Sequence, residues 1–176
     1  MKWFLLLIFL ITNIFAGEYK VIKVVDGDTI NVVKKGLEEN KYNTIKVRLA
    51  FIDTMESARN NRAKKISSDC NLNIEKIVEI GKKSKTYLST LLKDKEVNII
   101  FHGMDDLEKR HIGEIYLDND DNSINEKMIE FGQAVPFYKY IRKMDPENMD
   151  YYIYLFNKNK HEEILDNHCL NKKLGI

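Results

Sequence analysis

The sequence has 176 residues, of which 44% are hydrophobic and 31% are charged. This length corresponds to one domain, large enough to bury a core without disulfide or metal staples. Its 28 basic and 27 acidic side chains nearly cancel, which excludes attraction to polyanions through overall charge, so any electropositive groove must come from local clustering.

The first sixteen residues have the composition of a secretory signal peptide. Lys2 precedes an apolar run over residues 3–11, and Ala16 ends the segment with a small side chain. Because the run is too short to span a bilayer comfortably, we expect cleavage, a single mature domain over residues 17–176, and a secreted or periplasmic protein with no stable membrane span. An uncleaved anchor is the alternative, since Ile14 fits poorly the small residue expected near the cleavage site.

Three strands are predicted after this segment. Residues 19–25 and 29–34 are β-prone, and residues 42–52 alternate between hydrophobic and polar side chains. A period of two indicates strands, and the tight Asp26-Gly27 turn between the first two favours a meander. Because helical patterns come only later in the chain, it is not a repeating βαβ series.

Charged residues lie at the ends of the predicted second and third strands. Asp28 precedes the second strand, Arg48 lies in the third, and Asp53 and Glu56 follow it. Pairing of the two strands would bring Asp28 and Asp53 to the same end of the sheet. Carboxylates are ligands of Ca²⁺, and an arginine fork matches a phosphate. The pattern favours a site for a hard cation and a phosphate, with Glu56 as a base; solvated turn residues are the alternative.

The motifs at this predicted site resemble those of the staphylococcal nuclease (thermonuclease) family, which read D-G-D-T and then R-L-x-x-I/V-D-T/A-P-E. The corresponding residues of this chain are Asp26-Gly27-Asp28-Thr29 and Arg48-Leu49-Ala50-Phe51-Ile52-Asp53-Thr54-Met55-Glu56. One departure is Met55, which replaces the family's proline and removes the stiffness that proline gives to a turn.

This resemblance implies an α+β fold, a five-stranded OB-fold β-barrel with about three packed helices. It also implies that Asp28, Asp53 and the carbonyl oxygen of Thr54 hold Ca²⁺. By the same resemblance, Glu56 activates the attacking water and Arg48 binds the phosphate.

Residues 57–73 are polar, and we predict an irregular loop that carries a run of basic side chains, Arg59, Arg62, Lys64 and Lys65. Such a loop beside the site could contact a phosphate backbone. A solvated connection with no role in binding is the alternative.

A helix is predicted over residues 74–92, because apolar residues such as Ile77 and Ile80 recur at steps of three and four. Residues 96–101 and 111–117 are predicted as the fourth and fifth strands. Five strands with a helix between the third and the fourth follow the order of an OB-fold barrel.

Arg110 precedes the predicted fifth strand. The family carries a catalytic arginine there, in the pattern D-K-Y-G-R-x-L-A/G-x-I/V, although Glu108 and Lys109 replace the Tyr and the Gly in this chain. The implied role is to hold the phosphate and to stabilise charge that develops in the transition state. The alternative is a turn arginine that only pairs with Asp105 or Asp106.

Two further helices and a pair of tyrosines are predicted towards the C-terminus. Residues 123–126 form a capping box that opens a short helix, and 124–134 match the family's helix at this place. Residues 145–147 start the last helix. Tyr138 and Tyr140 stand where family members present tyrosines to the nucleotide; aromatic faces accept any base, but packing would account for both tyrosines as well.

The two cysteines, Cys70 and Cys169, lie far apart in the chain. Export favours a disulfide between them. Free or intermolecular thiols are the alternative.

These observations predict an exported, monomeric, Ca²⁺-dependent endonuclease of the thermonuclease type that acts on DNA and RNA. The resemblance implies in-line attack of water at phosphorus and a 3′-phosphate product. A non-catalytic OB-fold module that binds single-stranded nucleic acid or a protein partner is the alternative. The presence of all five charged positions together favours the enzyme.

Overall fold

The computed structural model of the protein describes residues 17–105, 109–137 and 146–159, and only the backbone of 146–149. The predicted signal segment lies outside the described residues. Within them, no helix combines the length and the apolar character that crossing a membrane requires.

Five strands form a closed barrel in the order β1-β2-β3-β6-β5. The strands are β1 (Tyr19–Asp26), β2 (Thr29–Lys34), β3 (Thr44–Leu49), β5 (Glu96–Met104) and β6 (His111–Leu117). β3 and β6 are parallel, with Arg48 opposite Ile112, whereas the other neighbours are antiparallel. The prediction of a five-stranded barrel is confirmed.

The predicted third strand is wrong in its last part. The chain leaves the barrel after Leu49, and Ile52–Asp53 form a separate strand, β4, which pairs with β7 (Val135–Pro136). Phe51 has a positive φ of 64° at this break, a conformation that residues other than glycine rarely adopt. The break turns Asp53 out of the barrel wall and towards the first residue of β2, next to Asp28.

In the part of the chain that the structure describes, four helices pack around the barrel, namely α1 (Asn61–Cys70), α2 (Ile74–Leu92), α3 (Ile124–Glu130) and α4 (Pro146–Lys158). The prediction for 74–92 is confirmed, and the capping box at Ser123 is present. The loop predicted over 57–73 is wrong, because this segment contains α1.

Helix α1 is stabilised at both ends and along one side. The side chain of Asn60 accepts a hydrogen bond of 2.8 Å from the Ala63 amide, which caps the helix N-terminus. Ala63 and Ile66 are buried, and Asn71 ends the helix in the left-handed conformation.

The buried core joins the barrel to α2 and α3. The largest fully buried side chains include Ile30, Leu49, Ile77, Leu88, Ile115 and Met128. The hydrophobic face predicted for the helix at 74–92 therefore does pack against the barrel.

One buried polar side chain, Asn125 of α3, fastens this helix to the barrel. Its amide oxygen accepts from the Ile115 amide at 3.1 Å, and its amide nitrogen donates to the carbonyl oxygens of Ala50 and Gly113 at 2.9 and 3.2 Å. Asn125 has no exposed surface. These bonds hold the chain at the point where it leaves β3, and so they help to place the Asp53 segment.

Replacing Asn125 with Ala should lower the free energy of unfolding by about 3 kcal/mol, because it leaves buried backbone groups without their hydrogen-bond partner. Chemical denaturation measures this change. The exposed residue Asn122 provides the control, since Asn122→Ala should change the free energy by no more than about 0.5 kcal/mol. Equal effects of the two variants would show that Asn125 does not anchor the helix.

Candidate active site

The guanidinium of Arg48 bridges two aspartates. Its Nη1 lies 2.7 Å from Oδ2 of Asp28, and its Nη2 lies 2.7 Å from Oδ1 of Asp53. Nη2 also donates to the carbonyl oxygen of Ile52 at 3.3 Å. β2 and β3 pair with Thr29 opposite Arg48, which brings the arginine next to Asp28. The two aspartates therefore meet at one guanidinium, as the predicted strand pairing requires.

The two aspartates are both buried, but their pKa values shift in opposite directions. Burial acts to raise the pKa of Asp28, but Arg48 and a 2.8 Å hydrogen bond from the Thr29 hydroxyl outweigh it and hold that pKa below its usual value. Burial raises the pKa of Asp53 above its usual value, although Arg62 and Arg48 oppose the shift. Asp53 is the more deeply buried, at 1% exposure against 5% for Asp28.

Glu56 is held by the beginning of helix α1. Nη1 of Arg62 lies 2.8 Å from Oε1 of Glu56, and the side-chain amide of Asn60 donates to Oε2. Nη2 of Arg62 also pairs with Oδ2 of Asp53. Burial raises the pKa of Glu56, against the opposing effects of Asn60 and Arg62. The predicted base is therefore oriented through both of its oxygens.

The sequence prediction does not include Asn60, and it names Arg62 only as one of several loop residues that could contact a phosphate backbone, because the segment is predicted to be a loop. The signal that could have found them is local. Asn60 is a favourable helix cap, and Ala63 and Ile66 follow it at a spacing of three, which is typical of one helix face.

Arg110 lies next to the same end of the barrel. Its Nη1 donates to the Thr29 hydroxyl at 3.4 Å, and its Nη2 pairs with Oδ2 of Asp105 at 2.7 Å. The ion pair with Asp105 that the sequence left open is thus present. Lys109, at the family's glycine position, adopts a positive φ of 51°. The backbone of this turn is therefore the one that a glycine would favour.

Hydrogen bonds to the Asp26 side chain hold the segment that carries Thr54 and Glu56. Oδ1 of Asp26 accepts from the amides of Gly27 and Ser57 at 2.9 and 3.2 Å. Met55, in place of the family's proline, is 2% exposed. Burial of this side chain anchors the turn that proline would otherwise stiffen.

These side chains surround a cavity of about 420 Å³. The predicted site residues that line it are Asp28, Arg48, Thr54, Glu56 and Arg110, and Arg62 joins them. The structure thus brings together residues that are far apart in the chain. Tyr138, Tyr140 and Cys169 lie outside the described residues, so their predicted roles, including the Cys70–Cys169 disulfide, stay predictions.

The donor set fits a hard cation in its chemistry. The carboxylate of Asp28 lines the cavity together with Thr54 and Glu56, whereas Asp53 is not a lining residue and both of its oxygens pair with arginines. In the described part of the chain, no three acidic, histidine or cysteine side chains stand in metal-binding geometry. Further ligands would have to be the Thr54 carbonyl oxygen and water, which Ca²⁺ accepts.

Comparison with known proteins agrees with this site. The family model described as staphylococcal nuclease homologue matches residues 46–163. The chain belongs to the staphylococcal nuclease family. The matched region includes Arg48, Asp53, Glu56 and Arg110.

Two curated relatives resemble this family member. An uncharacterized endonuclease of Haemophilus influenzae is 32% identical over 139 residues, which cover 77% of this chain and 63% of the relative. An uncharacterized protein of Methanocaldococcus jannaschii is 31% identical over 123 residues, which cover 65% of this chain and 56% of the relative. The chain thus spans less than two thirds of the length of either relative.

Replacing Arg48 with Met should lower the free energy of unfolding by about 3–5 kcal/mol, because two buried carboxylates lose their common partner. Chemical denaturation at neutral pH measures the loss. Asp28→Asn and Asp53→Asn, added to the Arg48→Met variant, should restore much of the stability. The exposed Lys35–Glu96 pair provides the control, since Lys35→Ala should cost at most about 1 kcal/mol. A similar cost for both arginine and lysine variants would contradict a buried bridge.

Proposed function

We propose that this family member is a nuclease, a Ca²⁺-dependent phosphodiesterase that cleaves DNA and RNA. The observation that carries the proposal is the Arg48 guanidinium, which joins Asp28 to Asp53 at a cavity that Glu56 and Arg110 also line. Membership of the staphylococcal nuclease family supports it, as does the relative that is named as an endonuclease.

The side chains of the cavity divide the reaction between them. Arg48 and Arg110 bind the oxygens of the scissile phosphate and offset the negative charge that it gains in the transition state. Glu56 takes a proton from water as the water oxygen attacks phosphorus in line. The bond from phosphorus to the 5′ oxygen breaks, that oxygen takes up a proton, and the 3′ end keeps the phosphate.

Burial suits Glu56 to this role. A carboxylate with a pKa above the usual glutamate value is a stronger base than one in water, and a base is most effective when its pKa approaches the working pH. Asn60 and Arg62 hold both oxygens, which limits the directions from which water can approach.

In this proposal, Asp28, Asp53 and the Thr54 carbonyl oxygen would hold the cation. When bound, Ca²⁺ would supply positive charge that polarises a phosphoryl oxygen. Arg48 cannot supply that charge alone, because it already balances two buried carboxylates.

Cellular location and substrate contacts beyond the phosphate are part of the same proposal. The apolar segment 3–11 supports export, and Tyr138 and Tyr140 would stack on bases. We also infer that the protein acts as a monomer with a single mature domain.

Replacing Glu56 with Gln should lower kcat by at least about 10²-fold, because the amide cannot accept the proton from water. The assay is cleavage of an end-labelled oligonucleotide with Ca²⁺ and with chelator, with analysis of the product ends. Glu38→Gln, at an exposed position, is the control and should match the wild type. Unchanged turnover in Glu56→Gln would remove Glu56 from the mechanism. Wild-type protein that binds single strands but never cleaves them would favour the non-catalytic module.

Replacing Gly81 with Ala should displace Glu56 without touching the cavity. A Cβ at position 81 would lie 2.3 Å from the Glu56 carbonyl oxygen and 2.6 Å from that of Met55, so the segment must move. A shift of about 1 Å costs about 10²-fold in turnover. Because the clash is with backbone atoms, the variant should also lose some stability, and its turnover is compared only after circular dichroism has shown that it is folded.

The control for this variant is Lys82→Ala, an exposed neighbour on the same helix, which should keep wild-type turnover. Circular dichroism checks the fold of both variants. Full activity in Gly81→Ala would show that the close contact between α2 and the Glu56 backbone does not position the base.

A further inference from the structure

Arg62, the second residue of helix α1, places its guanidinium between two carboxylates of the site. Nη2 pairs with Oδ2 of Asp53, and Nη1 lies 2.8 Å from Oε1 of Glu56. One of these carboxylates belongs to the proposed cation ligands and the other to the proposed base. The guanidinium of Arg62 therefore supplies positive charge to both of these carboxylates.

Both oxygens of Asp53 are engaged by arginines. Arg48 approaches Oδ1 and Arg62 approaches Oδ2. A divalent cation that binds to Asp53 would place two more positive charges against these guanidinium groups. Because like charges at such separations repel strongly in a buried site, one of the two arginines must give way.

Arg48 is fixed in its place. It has three acceptors, its side chain is 5% exposed, and it lies over the Phe137 ring with 5.3 Å to the ring centre. Moving it would leave Asp28 and Asp53 buried with no common partner. Arg48 is therefore part of the site whether or not a cation is bound.

Arg62 is the side chain that can move. It is 40% exposed, and it reaches the cavity from the first turn of a surface helix. When it leaves Asp53 its charge can be solvated, because long basic side chains keep their heads in water at little cost. A divalent cation that replaces it would restore the charge balance around Asp53 and Glu56.

We propose that Arg62 acts as the resident cation of the metal-free site and is displaced from Asp53 when a divalent cation binds, so that it sets the affinity of the site for Ca²⁺. This proposal rests on the calcium site proposed above. It assigns a role in metal binding to a residue that is not itself a ligand. The Ca²⁺ concentration at which the site fills then depends on Arg62, and therefore on the position of helix α1.

The test is calorimetric titration of chelator-treated protein with Ca²⁺, without nucleic acid. Arg62→Ala should bind Ca²⁺ at least about tenfold more tightly than the wild type, which corresponds to about 1.4 kcal/mol. Arg62→Lys keeps the charge but loses the planar fork, and its affinity should fall between the two. Arg59→Ala is the matched control, because Arg59 pairs with Glu75 outside the site, and it should match the wild type.

Thermal unfolding gives a second readout that does not depend on titration heats. In chelator, Arg62→Ala should melt at a lower temperature than the wild type, because Asp53 and Glu56 lose a partner. Saturating Ca²⁺ should raise its melting temperature by more than it raises that of the wild type. Arg62→Gln serves in place of Arg62→Ala if the alanine variant does not fold.

Asp53→Asn separates failure of this proposal from failure of the calcium site. If Asp53→Asn abolishes Ca²⁺ binding while Arg62→Ala leaves the affinity unchanged or weaker, the calcium site stands and displacement of Arg62 is overturned. If Asp53→Asn binds Ca²⁺ as the wild type does, Asp53 is not a ligand, and both the calcium site and this proposal are overturned.

Discussion

The candidate site depends on one buried guanidinium. Arg48 lies in β3, Asp28 directly before β2, and Asp53 in β4, and the two ion pairs draw these three segments together. Removing charges from water is expensive, and the mutual attraction offsets that cost only where geometry and hydrogen bonds are good. Here each end of the guanidinium meets a carboxylate oxygen at 2.7 Å, so the arrangement specifies how the chain must leave the barrel.

The buried ion pairs of Arg48 help to explain why the pKa values of the two aspartates shift in opposite directions. Asp28 shares Arg48 and also receives the Thr29 hydroxyl, so its pKa falls despite burial, whereas burial raises the pKa of Asp53. Asp53, the more deeply buried carboxylate, has a second positively charged partner, which is Arg62. The same pair of guanidinium groups that stabilises the fold around Asp53 thus also occupies the side of the cavity where a cation is proposed to bind.

Local patterns predicted the regular elements well and the break between them poorly. Residues 29–34, 74–92 and 111–117 have the predicted bounds, because each is rich in side chains that favour its type of element, and turn or polar residues flank it. The turn at Phe51 has no such signal, since it is held by the amide of Ala50 on the Gly113 carbonyl oxygen and by Asn125. Helix α1 was missed because most of its residues are polar and only a few face the core.

The sequence by itself determined the chemistry of the site: which carboxylates, arginines and turn residues are present, and in what order. Side-chain type and the order of strands follow directly from the chain, and they were enough to predict the barrel and the convergence of Asp28 with Asp53. Only the tertiary structure decided that Arg62 reaches Asp53 and Glu56 and that Arg110 pairs with Asp105. The reason is physical: these contacts depend on where a helix and a turn pack against the barrel, and packing is decided by burial across the whole domain rather than by neighbours in sequence.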